Sequence, residues 1–165
     1  MRLVRGLLLV LAAWVAAVLP QSATAQKTST PEERKQWVEI SQKLESNPLD
    51  EGLNKQAATA LKRLIEVEDV HVALCAPLMT DLSEKKYKYS ATITRQYMLA
   101  SGAFVIENPD KASETKAMNL AAVESVLRTY QAILKDKPEA KSKRLDDLLK
   151  KQNEGKLNDA LTQCL

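Results

Sequence analysis

The sequence predicts an all-α protein, a small bundle of about five to six helices, and three observations carry that expectation. Beyond residue 25, apolar side chains recur mostly at three- and four-residue intervals. Only Gly52, Gly102 and Gly155 interrupt that stretch, and prolines stand where one apolar stripe stops and the next begins. Alternation of the kind that marks a strand is confined to one segment, Val67 to Ala76.

The elements follow in order. Thr30-Pro31-Glu32-Glu33 opens the first helix: Thr30 caps, Pro31 takes the first helical position and Glu33 completes a capping box. Trp37, Ile40, Ser41 and Leu44 then share one face. Asn47-Pro48 ends this helix and leads into a second, whose Leu53, Ala57, Ala60, Leu61, Leu64 and Ile65 form a stripe. In the next segment Val70, Val72 and Leu74 alternate with Asp69, His71 and Ala73. A lone strand has nothing to pair with, so the expectation is a buried connector or irregular helix end, followed by a short helix from about Pro77 to Lys85.

A long helix starts near Ser90, turns Ile93, Tyr97, Ala100, Ser101, Phe104 and Val105 inward, and stops at Asn108-Pro109. The longest segment runs from about Asp110 to Asp136, with Met118, Ala121, Ala122, Val126, Tyr130, Ile133 and Leu134 at helical spacing, and Pro138 closes it. Leu145, Leu148 and Leu149 mark a further helix. Gly155 then separates a short last one bearing Leu157, Leu161, Cys164 and Leu165. With one Phe, four Tyr and two Trp in the whole chain, the core must be mainly aliphatic.

Three of these helix ends share a form: Lys43-Leu44-Glu45-Ser46-Asn47-Pro48, Val105-Ile106-Glu107-Asn108-Pro109 and Ile133-Leu134-Lys135-Asp136-Lys137-Pro138. Each resembles the close of a tetratricopeptide unit, where an aliphatic residue on the second helix precedes a polar turn and a proline. The Tyr130-Gln131-Ala132-Ile133-Leu134 run adds to the likeness. The resemblance implies stacked α-hairpins.

The domain plan is a cleaved signal peptide over 1–25 and a single helical domain over 26–165. Arg2 and Arg5 form a positive head, Gly6 to Leu19 carries no charge, and Ala23-Thr24-Ala25 is a small-x-small cleavage pattern. As a helix that apolar run rises only about 21 Å against a hydrocarbon core of about 30 Å. Cleavage rather than anchoring is therefore expected, with no stable membrane attachment afterwards, in a periplasmic or extracellular location. Removing the two leader arginines from 24 basic residues leaves 22 against 21 acidic. A domain so nearly neutral gives no basis for nucleic acid as a partner.

Cys75 and Cys164 are the two cysteines, and export delivers them to a place where disulfides persist. A bond between them is expected to fasten the tail to the middle of the domain. There is no Cys-x-x-Cys to suggest redox catalysis.

Motifs for chemistry are sparse. His71, the one histidine, follows Glu66, Glu68 and Asp69, and one imidazole beside carboxylates falls short of a zinc set. No Gly-x-Ser-x-Gly elbow, calcium loop or phosphate-binding glycine loop occurs. No catalytic residue, metal or cofactor is assigned. The segment Lys85-Lys86-Tyr87-Lys88-Tyr89, leading to Arg95, alternates cations with rings able to stack on a ligand. Tyr87, Tyr89, Arg95 and His71 are accordingly the candidate binding surface. The functional expectation is an exported, non-enzymatic helical module that binds a protein or peptide across neighbouring helices. The alternative is a small apolar ligand held between helices, with Tyr97, Tyr130 and His71 as polar contacts; an enzyme ranks third.

Overall fold

The computed structural model describes residues 27–164, so the expected leader and its expected cleavage site, together with Gln26 and Leu165, lie outside the described residues. The described chain is all helix and turn, without a strand. It forms seven α-helices: α1 (Pro31–Ser46), α2 (Glu51–Glu66), α3 (Ala76–Leu82), α4 (Ser90–Glu107), α5 (Thr115–Asp136), α6 (Lys143–Asn153) and α7 (Leu157–Ala160), with 3-10 turns at Pro109–Lys111 and Thr162–Cys164. Each helix was expected singly, and α3, the short helix foreseen from about Pro77 to Lys85, takes the number to seven against the overall expectation of about five to six.

The helix starts follow their local chemistry. The Thr30 hydroxyl accepts from the Glu33 amide at 3.1 Å, and the Glu33 carboxylate accepts from the Thr30 amide at 2.8 Å. Asp50 caps α2 by accepting from Leu53 N–H at 2.6 Å, which sets the start a little beyond Pro48. Asp110 belongs to the 3-10 turn rather than to the long helix, which starts at Thr115. Gly155, at φ 70°, ends α6: its own amide reaches Gln152 O and that of Lys156 reaches Lys151 O, a pairing only a left-handed residue permits.

The helices pack in layers around α4 and α5. One apolar cluster joins Trp37, Ile40 and Leu44 of α1 to Ala57, Ala60 and Leu64 of α2 and to Leu99 and Val105 of α4. The other joins Leu78 and Leu82 of α3, Ile93 and Tyr97 of α4, and Val126, Tyr130 and Ile133 of α5 to Leu145, Leu148 and Leu161 at the C-terminal end. α4 feeds both clusters and is buried on all sides from Gln96 to Val105 except at Met98 and Phe104, which are half-buried. Small residues make this possible: a Cβ on Gly102 would lie 2.6 Å from Leu64 Cδ2, so glycine is what lets α2 seat against α4.

Polar side chains inside these layers are tied across helices. Gln96 Nε2 reaches Ser41 O at 3.0 Å and Ser125 Oγ at 2.6 Å, linking α4 to α1 and α5. Tyr97 donates its hydroxyl proton to Asn119 Oδ1 and accepts from Cys75 N–H at 3.1 Å. Tyr130 accepts from Ser142 N–H at 2.9 Å and donates to Asp146 at 2.7 Å. Burial, eased by the Ser142 bond and reinforced by Asp146, pushes its phenol up to about 12.

The tetratricopeptide likeness stays at the helix ends. The hairpins α1–α2 and α4–α5 are separated by an irregular connector and by α3, so no constant period relates them.

Cys75 and Cys164 are bonded, with Cα atoms 5.1 Å apart at a sequence separation of 89. Both sulfurs belong to the second cluster, so the bond holds the last turn against α3. A bond between these cysteines is consistent with an oxidising location, and no described helix is long and apolar enough to cross a membrane. Replacing both cysteines with serine lowers unfolding stability by up to about 4–5 kcal/mol in the chain-entropy model. Urea denaturation of the oxidised protein and the double variant measures this, and matching midpoints would show that the tail is held by packing alone.

Candidate functional site

The connector between α2 and α3, residues 67–75, passes from one core cluster to the other. Val67 and Val70 are buried in the first, Val72 packs against it, Leu74 packs against the second, and Cys75 is buried there. Burial alternates along Val70 to Leu74, with His71 and Ala73 exposed. This is the period-two pattern of the sequence, realised without a sheet partner.

Both ends of the connector are anchored. At the start, the Asp69 carboxylate accepts from Ser29 N–H at 2.9 Å, from Ser29 Oγ at 2.9 Å and from Arg34 Nη2 at 2.8 Å. Glu68 N–H donates to Lys27 O at 2.7 Å, and Arg63 bridges Glu33 at 2.8 Å and Thr28 O at 3.2 Å. The residues just before α1 therefore strap the end of α2. At the far end, Cys75 N–H meets the Tyr97 hydroxyl, Asn119 Nδ2 reaches Ala73 O at 3.3 Å, and the disulfide closes the arrangement. In between, the backbone N–H groups of His71, Val72, Ala73 and Leu74 donate to no described protein group. All four residues are exposed or half-buried, so water serves these donors.

Alongside this open backbone runs an apolar groove of about 280 Å³. Its walls are Leu61, Leu64 and Ile65 of α2, Val70, Val72 and Leu74 of the connector, and Met98 of α4. Ile65 is 66% exposed, the one large hydrophobic side chain so placed among the described residues. Leu61 and Met98 also line a second recess of about 320 Å³ that continues along α4 to Thr94 and Arg95.

The residues named from sequence divide between two places. His71 lines the apolar groove, and Arg95 lies in the recess continuing from it. Tyr87 and Tyr89 sit instead on the α3–α4 turn, facing residues 139–141 across a separate recess. Tyr87 is half-buried, lies edge-on to Tyr130 with centroids 6.4 Å apart, and donates to Ala140 O at 3.2 Å. Burial raises its phenol well above the ordinary value, with Tyr130, Tyr89 and Asp146 adding to the rise. This ring fastens one turn to another. Lys88 Nζ lies 5.5 Å from the Tyr89 ring centroid.

Two of the three acidic residues before His71 have structural partners: Glu68 pairs with Lys27 and Asp69 with Arg34. Among the described residues, no three His, Cys, Asp or Glu side chains gather as a metal cluster would. Two of the three polar contacts weighed for an apolar ligand are also engaged, since the Tyr97 and Tyr130 hydroxyls both make internal bonds, which leaves His71 at the groove. What sequence reasoning missed is the wall itself: Ile65 turned outward, and the connector offering its backbone beside it. Compared with known proteins, the chain matches no protein-family model, and no curated protein or solved structure matches it.

Desolvation raises the Asp69 carboxyl, but hydrogen bonds from Arg34 and from the Ser29 amide and hydroxyl outweigh it and bring the group down to about 2. Since the unfolded value is about 3.9, the stabilisation is complete above that pH and drains away as pH falls toward 2. Asp69→Asn is therefore expected to lower the melting temperature at pH 7, with the gap to wild type closing between about pH 4 and 2. Thermal melts across that range check it, and a pH-independent gap would contradict the assignment.

Proposed function

We propose that this protein is an exported, non-enzymatic helical module that captures an extended segment of a protein partner in the groove between α2, the connector and α4. Export would follow from the leader over 1–25, and the disulfide suits the oxidising periplasmic or extracellular space that the leader implies.

One observation carries the reading: Ile65 stands exposed on an apolar wall beside a stretch of backbone whose donors have no partner among the described residues. An extended peptide needs those two things, main-chain donors for affinity and apolar ground for alternate side chains. The four residues His71 to Leu74 match about 13 Å of extended chain, enough to pair with three or four peptide residues. The anchors on either side favour binding further, because the surface is already held in shape and little ordering remains to oppose association.

Selection of random heptapeptides, fused through their C-terminus to a display carrier, tests this on the full protein. Sequences with aliphatic residues at alternate positions are expected to be enriched, and Ile65→Asp should abolish the enrichment while leaving the melting temperature close to wild type, since Ile65 is exposed. No enrichment on the wild-type protein, or enrichment indifferent to Ile65→Asp, would overturn the reading.

A further inference from the structure

Five arginines lie among the described residues, and four have carboxylate partners: Arg34 with Asp69 at 2.8 Å, Arg63 with Glu33 at 2.8 Å, Arg128 with Glu45 at 2.7 Å and Arg144 with Asp81 at 2.6 Å. Arg95 has none. Its described contact is Nη1 to Asn54 Oδ1 at 2.6 Å. That contact is built, because Asn54 Nδ2 is held by Pro48 O and Asp50 O, each at 2.8 Å, which turns its oxygen toward Arg95. Thr92 Oγ1 approaches the same oxygen at 3.4 Å. The guanidinium is thus oriented by a neutral group, with Nε and Nη2 left unbonded among the described residues.

Arg95 is half-buried, and burial lowers its pKa, meaning the charge is held at some cost in solvation. Beside it in the same recess, Thr94 Oγ1 is buried and has no partner among the described residues. A fixed, partly desolvated guanidinium with donors to spare is suited to a carboxylate, which it can bind through two parallel hydrogen bonds. Leu61 and Met98 line both this recess and the apolar groove, so one ligand can occupy the two.

We infer that the segment captured in the groove carries an aspartate or glutamate side chain that pairs with Arg95, at a fixed offset from the aliphatic residues seated against Ile65. This rests on the peptide-groove reading and adds a chemical requirement to it. An aliphatic patch alone accepts many sequences, whereas the charge fixes the direction and register of the bound chain.

The same heptapeptide selection decides it, because fusion through the C-terminus removes any free terminal carboxylate. Wild-type protein is expected to enrich Asp or Glu at one constant distance from the aliphatic positions. Arg95→Gln should weaken the best acidic peptide at least about tenfold while aliphatic enrichment persists. Arg95→Glu should replace the acidic preference with Lys or Arg, a reversal that loss of folding cannot mimic. Salt titration on the wild-type protein is a readout independent of any variant: affinity for the acidic peptide falls with ionic strength and that for its amide counterpart does not.

Aliphatic enrichment with no acidic position, or an acidic preference unchanged in Arg95→Glu, would overturn the inference and leave the groove reading in place. Absence of all enrichment would instead overturn the groove reading. Tight binding of a long-chain fatty acid in place of any peptide, tested with oleate, would contradict the peptide as occupant.

Discussion

α4 has almost no outward face, and the rest of the architecture follows from burying it. A helix with apolar or small residues all round must be covered on opposite sides, so the chain supplies α1 and α2 for one and α3, α6 and α7 for the other, with α5 shared between them. α2 and α3 are consecutive but belong to different clusters. The segment joining them has to travel past α4, changing from one core to the other between Val72 and Leu74. That passage is made in irregular chain, with no helix and no strand partner among the described residues. The outcome is an irregular stretch that buries alternate side chains while the amides of His71 to Leu74 have no partner among the described residues, and the groove is a by-product of that crossing.

Such a segment is costly in conformational entropy unless it is tied down. The ties here are polar at one end and covalent at the other. Asp69 gathers three donors from Ser29 and Arg34, and Arg63 reaches both Glu33 and Thr28, so the chain preceding α1 clamps the exit of α2. Tyr97 receives the amide of Cys75, and the disulfide fixes that same residue to the C-terminal turn. Solvent-exposed ion pairs contribute little singly, but a network around one carboxylate that also caps backbone amides is geometrically demanding and fixes the path of the connector. Glu68 and Asp69, the charged side chains just before His71, are thereby explained as scaffold, and the proposed binding surface lies in the apolar and main-chain groups they hold in place.

Much of the fold was legible in the sequence because it depends on local rules. The capping box at Thr30, the stop at Asn108-Pro109, the glycine at 155 and the inward set of α1 all follow from spacing and capping chemistry, while α5 also buries Val123 and Leu127 outside the stripe expected for it. Ile65 was misplaced because a stripe carries no record of its own edge. Ala57, Ala60 and Leu64 set the buried direction, and Ile65, one residue on, is rotated about 100° away from Leu64. Burial of Gln96, Ser125 and Asn119 was also illegible, since polar side chains reveal their partners only once helices are docked. A signal did exist for α4: between Arg95 and Glu107 it carries no charge, the mark of a helix without a solvent face. The disulfide was foreseeable from compartment and number. Tyr87 and Tyr89 were separated from Arg95 and His71 by tertiary packing, which sequence adjacency does not encode.

Residue-resolved amide hydrogen exchange on the free, oxidised protein tests the central claim most directly, since an enclosed α4 and an open connector make opposite demands on it. The amides of α4 from Gln96 to Val105 should be among the slowest in the molecule, that of Cys75 intermediate, and those of His71 to Leu74 close to unprotected rates. An α4 that exchanges as fast as the connector, or a connector protected like a helix, would contradict the account.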